Sequence, residues 1–238
     1  MRHLRLESCA STNDEARRAF EAGDALPLLI SAAEQTKGRG REGRAWSQLQ
    51  GNFAGSFLVM ATRALLSEPG ALSLIAGLAI RDALSAFGAN PAELKLKWPN
   101  DVLLSEKKVA GVLSEFVEDQ SRRAFIVGIG VNLREAPDQT LFPAAAVFAD
   151  GAPDPSAFGD TLGTALTRWI SQAEAHGMPA ILEAWKKQAW RLGEPLAIRT
   201  SGVPLEGVFE DLDPHGHLRL RLPDGTMRTI TAGDAART

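Results

Sequence analysis

The sequence predicts an α+β protein. A mixed β-sheet flanked by helices takes up most of the chain, and a small β-barrel-like module follows it. Two observations carry this expectation. Strand and helix signals alternate loosely up to residue 87, strands crowd residues 94–133, and helical periodicity returns after residue 155. After Gly193-Glu-Pro195 the texture changes to short alternating segments separated by turn residues. The expected division is therefore residues 1–190 and 191–238.

Taken in order, alternating Leu4 and Leu6 open a strand. Ser11-Thr-Asn-Asp-Glu15 starts a helix, with Thr12 and Glu15 matching a capping box and Gly23 ending the helix. Leu28 to Ala33 reads as a buried strand, and Glu34 to Gly51 as a polar, glycine-rich loop. Phe53 to Ala61 is a second strand. Pro69 to Phe87 is a helix stopped by Gly88, apolar on nearly every side between Leu72 and Ile80 and so expected inside the domain.

Leu94, Leu96 and Trp98 alternate with lysines until Pro99-Asn-Asp101 breaks the strand. Val102 to Leu104 and Val109 to Val117, joined through Ser105–Lys108, form a hairpin, and Ala124 to Leu133 is a further strand. Residues 134–155 read as a long loop. Two amphipathic helices follow, one through Phe158, Leu162, Leu166, Trp169 and Ile170, the other through Ile181, Leu182, Trp185 and Ala189. The final module offers strands at Leu196–Thr200, Leu205–Glu210, Leu218–Leu222 and Met227–Thr231.

Whole-chain numbers exclude several classes. The chain has 238 residues, 45% of them hydrophobic and 23% charged, which is globular rather than disordered usage. A single cysteine, Cys9, excludes an intramolecular disulfide framework and fits a reducing, cytoplasmic setting. The net charge of −3 argues against nucleic acid as a partner. The greasiest segment, Ala71 to Ile80, is far shorter than the ~20 residues that span a bilayer, so no membrane association is expected.

Four features could carry chemistry. In Lys37-Gly-Arg-Gly-Arg-Glu-Gly-Arg44, four cations and one acid share a stretch whose three glycines can present backbone N–H groups, a combination suited to a polyphosphate. A solvated basic loop or a weak nucleic-acid patch fits the same residues. Gly38, Gly40 and Gly43 also satisfy G-x-G-x-x-G, but no helix follows them, so a dinucleotide fold is disfavoured. In Lys97-Trp-Pro-Asn-Asp101, Asp101 could serve a Mg²⁺–nucleotide, although Asn-Asp after Pro is also an everyday turn. Lys107-Lys108 opens a strand where an ammonium could reach phosphate and carboxylate oxygens together, or simply be solvated. In Phe125 to Asn132, one face carries Ile126, Gly128, Gly130 and Asn132. The missing side chains there leave room for a ligand or for close packing.

Taken together, Ser11-Thr-Asn13, Gln35, Gly38 to Arg44 with Trp46, Lys97-Trp-Pro-Asn-Asp101, Lys108-Val-Ala-Gly111 and Gly128 to Leu133 resemble the biotin–protein ligase family. Gly193-Glu-Pro195 and Asp224 to Asp234 resemble its small C-terminal SH3-like domain. The resemblance implies that biotin is activated by Mg²⁺·ATP as biotinyl-5′-AMP and passed to a lysine of a biotin carboxyl carrier domain of a carboxylase. It assigns Ser11, Thr12, Asn13, Gln35, Arg39, Gly40, Arg41, Lys108 and Gly111 to biotin. Arg41, Arg44, Trp46, Asn100, Asp101, Lys108 and Asn132 fall to ATP, and Asp101 to Mg²⁺. Lys108 and Arg41 are the expected catalytic pair, with Lys108 bridging the biotin carboxylate and the α-phosphate.

The resemblance is also compatible with a homodimer. The Ser-Thr-Asn element begins at residue 11, so a monofunctional ligase without a DNA-reading domain is expected. Residues 37–50 are expected to be mobile without ligand and to close over the adenylate. Four departures from the family pattern stand out: Glu34, the stretch Ser47–Gly51, the poorly matching residues 134–155, and the lack of any tyrosine. That last absence leaves Phe53 or Phe57 to fill aromatic roles. A lipoate ligase or octanoyl transferase is the rival enzyme reading, and a non-catalytic nucleotide-binding protein the rival from another class.

Overall fold

A computed structural model describes residues 1–138, 140, 142–148, 150–199 and 203–237. Its first sheet has seven strands: β1 (Arg2–Cys9), β2 (Leu28–Gln35), β3 (Phe53–Met60), β4 (Leu94–Lys97), β5 (Asp101–Leu104), β6 (Lys107–Glu118) and β7 (Arg123–Val131). They lie in the order β1-β2-β3-β7-β6-β5-β4. β1 and β2 are parallel and every other pairing is antiparallel, so the sheet is mixed as expected. A parallel pair needs a crossover, which α1 (Thr12–Glu21) supplies before Gly23 turns the chain at φ 85°.

One face of this sheet is buried under α3 (Ala71–Ala86) and α4 (Pro155–Lys186). The all-round apolar surface of α3 has a direct cause, because it packs against both the sheet and α4. α4 is broken at Gly177 (φ 73°, ψ 175°), with Pro179 just beyond, so it comprises the two helical segments read from the sequence. Its start is fixed by the Asp154 side chain, which accepts from the Ser156 and Ala157 N–H groups at 3.0 and 2.9 Å. A short helix, α2 (Arg63–Ser67), has too few residues to show a period and was not foreseen.

The opposite face is covered at one end by α1, whose Ala16, Ala19 and Phe20 pack on Leu28, Ile30, Leu58, Val117, Ala124 and Ile126. Beyond α1 that face carries Gly111, Gly128 and Gly130, where the site is built.

The second sheet is antiparallel, in the order β11-β10-β9-β8-β12. Its strands are β8 (Pro195–Arg199), β9 (Leu205–Leu212), β10 (Leu218–Arg221), β11 (Met227–Ile230) and β12 (Asp234–Ala236). The sequence showed four strands; the fifth, β12, is three residues long and has no alternation to betray it. The expected strand end at Thr200 lies outside the described residues. The two sheets share one apolar core: Phe209 packs on Trp185 with ring centroids 6.4 Å apart, and Trp98 Nε1 donates to the Gly216 carbonyl at 3.0 Å.

Three expectations need correction. Ser11, not Thr12, occupies the helix cap, and no capping box forms, because the Thr12 hydroxyl is engaged with Gln35 and Ser56. Ala189 is not helical. The chain leaves α4 and pairs with the edge of β4, Leu96 N–H donating to the Gln188 carbonyl and Trp190 N–H to that of Leu96, each at 2.8 Å. Phe53 and Phe57 face α3 and α4, with Phe53 edge-on to Phe158 at 5.5 Å, so neither serves the site as an aromatic wall.

Candidate functional site

A cavity of about 410 Å³ opens on the second face of the seven-stranded sheet. Strand ends, the α1 N-terminus, the glycine/arginine segment, β12, and Pro137, Asp138, Thr140, Phe142 and Ala144 enclose it. All fourteen residues singled out from the sequence line it: Ser11, Thr12, Asn13, Gln35, Arg39, Gly40, Arg41, Arg44, Trp46, Asn100, Asp101, Lys108, Gly111 and Asn132.

One end is neutral and polar. Ser11, Thr12 and Asn13 are buried where α1 begins. Gln35, at the end of β2, accepts from the Thr12 N–H at 2.8 Å and the Thr12 hydroxyl at 3.1 Å, which turns its amide N–H groups away from those contacts. Ser56, fully buried on β3, lies 2.7 Å from Thr12 Oγ1 and 2.6 Å from Asn13 Oδ1. The amide oxygen of Asn13 can only accept, so the Ser56 proton goes to it.

Asn13 Nδ2 donates to Glu115 at 2.8 Å, and Arg17 pairs with the other oxygen of that carboxylate at 2.7 Å. Burial alone would raise the Glu115 pKa, but these donors and the charge of Arg39 hold it below the usual value. Sequence reasoning missed Ser56 and Glu115, because each is an ordinary strand residue until the fold brings it beside Asn13.

The floor is made by missing side chains. A Cβ on Gly130 would fall 2.1 Å from the Trp46 ring, and one on Gly128 would fall 2.3 Å from Asn13 Oδ1. The space expected above these glycines is thus partly filled by the protein's own Trp46 and Asn13. Lys108 Nζ stands over the Trp46 ring, 5.8 Å from its centroid.

The other end is cationic. Asp101 is buried between two ammonium groups, Lys108 Nζ 2.6 Å from Oδ1 and Lys97 Nζ 2.9 Å from Oδ2. Burial alone would push its pKa up, but the two lysines outweigh this and bring it down to about 2. The carboxylate is thus held ionised, with each oxygen close to one ammonium group. Among the described residues no cluster of three or more metal-ligating side chains occurs. Lys97 is almost wholly buried and sits over the Phe142 ring at 4.8 Å, a wall residue that the sequence motif contained but the site reading did not use.

The glycine/arginine segment is held by the protein's own contacts. It closes on itself through Gly40 N–H to the Arg44 carbonyl (2.7 Å) and Trp46 N–H to that of Gly38 (2.9 Å). Arg39 turns to Asp14 at 2.8 Å and Glu115 at 3.5 Å, at the rim. Arg41 donates to Asn100 Oδ1 at 3.1 Å, while Asn100 Nδ2 donates to the Val112 carbonyl at 2.7 Å. Arg44 pairs with Asp234 at 2.7 Å. Residues 142–148, beside Lys108, are pinned through Lys108 N–H to the Pro143 carbonyl and Val147 N–H to that of Asn132. Among the described residues the buried side-chain oxygen of Asn132 has no hydrogen-bond partner. No helix among the described residues is long and apolar enough to cross a membrane.

Comparison with known proteins gives a consistent result. The biotin/lipoate A/B protein ligase family model matches residues 8–132, and the biotin protein ligase C-terminal domain model matches residues 192–237. The biotin–[acetyl-CoA-carboxylase] ligase of Paracoccus denitrificans is 42% identical over 223 residues, covering 90% of this chain and 92% of its own. That of Mycobacterium tuberculosis is 31% identical over 230 residues, covering 94% and 84%. The Aquifex aeolicus biotin protein ligase, solved in complex with biotin and ATP, superposes with a TM-score of 0.85 at 27% identity over 100% of this chain and 99% of that one.

Proposed function

The chain belongs to the biotin/lipoate A/B protein ligase family, and we propose that it joins biotin to ATP as biotinyl-5′-AMP and passes the biotinyl group to a lysine of a biotin carboxyl carrier domain. One observation carries the reading. A single cavity has a buried, neutral hydrogen-bonding end at Thr12, Asn13 and Gln35 and a cationic end at Lys97, Lys108, Arg41 and Arg44. That polarity matches a molecule with a cyclic urea at one end and, at the other, a carboxylate that must meet a triphosphate. A lipoyl dithiolane has no groups to satisfy the buried polar end, and leaving such groups unpaired is costly, so biotin is favoured over lipoate.

The reaction brings a carboxylate against a polyanion, and the residues act by neutralising and aligning the two. A carboxylate oxygen of biotin bonds to the α-phosphorus, the bond from that phosphorus to the bridging oxygen breaks, and pyrophosphate leaves with the electron pair. Lys108, anchored on Asp101, stands where it can bridge carboxylate and α-phosphate. Each close ion pair of this kind contributes about 4 kcal/mol at an effective dielectric of ~20. Arg41 and Arg44 face the remaining phosphates. Asn132 offers its buried oxygen to a donor such as the exocyclic amine of adenine. Magnesium enters on the phosphates of ATP, as part of that substrate. In the second step the acceptor amine bonds to the acyl carbon, AMP departs with the electron pair and the amine loses a proton.

Within this reading residues 1–190 are the catalytic part and 191–238 the SH3-like module. Incubating the protein with biotin, Mg²⁺·ATP and a carboxyl carrier domain should add one biotinyl group to the carrier, seen by mass spectrometry. Transfer of lipoate but not biotin would sink the assignment.

A further inference from the structure

We propose that Asp234, on the last strand of the second sheet, is a positioning residue that aims Arg44, and with it Arg41, at the polyphosphate of a nucleoside triphosphate. The proposal rests on the ligase reading above and gives the second sheet a part in nucleotide recognition.

The geometry is specific. Arg44 Nη1 lies 2.7 Å from Asp234 Oδ2, and Arg41 Nη1 lies 3.7 Å from Asp234 Oδ1 and donates to the neighbouring Gly233 carbonyl at 3.4 Å. Asp234 lines the same cavity as both arginines. Both arginines belong to a segment with three glycines, whose backbone alone defines side-chain direction poorly. An anchor outside that segment is what such side chains need, and β12, paired with β8, offers one. Asp234 pairs in register with Arg199 of β8, and the next two residues, Ala235 and Ala236, are buried.

A guanidinium has five N–H donors, so one carboxylate fixes its plane and leaves donors free for phosphate oxygens. Asp234 thus acts through Arg44 rather than on the reacting atoms.

The test is steady-state biotin-dependent pyrophosphate release, with calorimetric ATP binding as a readout that needs no turnover. Asp234→Asn, nearly isosteric, should raise the KM for ATP roughly tenfold, the effect of losing one charge-assisted hydrogen bond, and leave the KM for biotin within about twofold. Asp234→Glu should recover most of the loss. In an Arg44→Ala background, Asp234→Asn should raise the KM for ATP much less, by only the share that runs through Arg41. The proposal is overturned if Asp234→Asn tightens ATP, since the carboxylate would then be a competitor for the arginines. Equal weakening of ATP and biotin together with a lower Tm, or a full additional effect on top of Arg44→Ala, would overturn it as well. Wild-type protein that binds ATP but releases no pyrophosphate with biotin would instead sink the ligase reading, while the calorimetric comparison would still decide the role of Asp234.

Discussion

At one end of the cavity Thr12, Asn13 and Ser56 are buried and within hydrogen-bond distance of one another, and Thr12 is bonded to Gln35 as well. At the other end Arg41, Arg44 and Lys108 are partly exposed and held by carboxylates that a polyanion can share or displace. The first end is an extension of the core, and its geometry is set by folding. The second is a set of charges parked against local counterions, and its geometry is completed by a substrate. Substitutions at the two ends should therefore fail in different ways.

The largest effect is expected at the cationic end. Lys108→Ala should lower biotin-dependent ATP–pyrophosphate exchange by about 10²–10³-fold, the scale seen when one charge-stabilising donor is lost, with little change in Tm. Normal exchange in that variant would remove Lys108 from its assigned role.

At the neutral end, Ser56→Ala leaves Asn13 Oδ1 buried without its donor. It should raise the KM for biotin about tenfold and cost about 1–3 kcal/mol of stability, visible together in kinetics and a denaturant titration. A variant that loses stability while binding biotin normally would separate the polar end from biotin recognition.

Salt offers a milder probe. Raising KCl from about 0.05 to 0.5 M should increase the KM for ATP several-fold and leave that for biotin nearly flat, because screening acts on exposed charges. Equal sensitivity would erase the contrast between the ends.

A last probe, confined to acid pH, is the titration of Asp101. Its carboxyl is held at about 2, below the unfolded value, so its contribution to stability is fully present above about pH 4 and disappears as the pH falls through about 2. Asp101→Asn should flatten that part of the acid-unfolding curve and, by leaving the buried Lys97 ammonium without its counterion, lower stability at neutral pH by about 3–5 kcal/mol.

Much of the fold was legible because apolar period and turn residues follow the same physics that buries strands and helices. The Gly/Arg segment and Trp-Pro-Asn-Asp element were legible too, since rare residue combinations at fixed spacing stand out locally. What escaped depended on contacts distant in sequence. Thr12 reads as a helix cap from its neighbours alone, and only the arrival of Gln35 and Ser56 turns its hydroxyl elsewhere. Phe53 and Phe57 were offered to the site, but their position in β3 points them at Phe158 and the helices. Asp101 reads as a turn residue or a nucleotide-site acid, and its pairing with Lys97 and Lys108 is visible only in the fold. Asp234 lies 190 positions beyond Arg44, beyond the reach of any local pattern.

The hydrophobic interior runs without a break from Phe158 beneath the large sheet to Phe209 and Leu220 in the small one. A gene truncated before codon 191 would thus yield a product with a raw, greasy wound where Trp98, Leu74 and Trp185 now find cover. Such a fragment belongs in inclusion bodies, and anyone fusing tags or splitting the enzyme for reporter use should cut elsewhere.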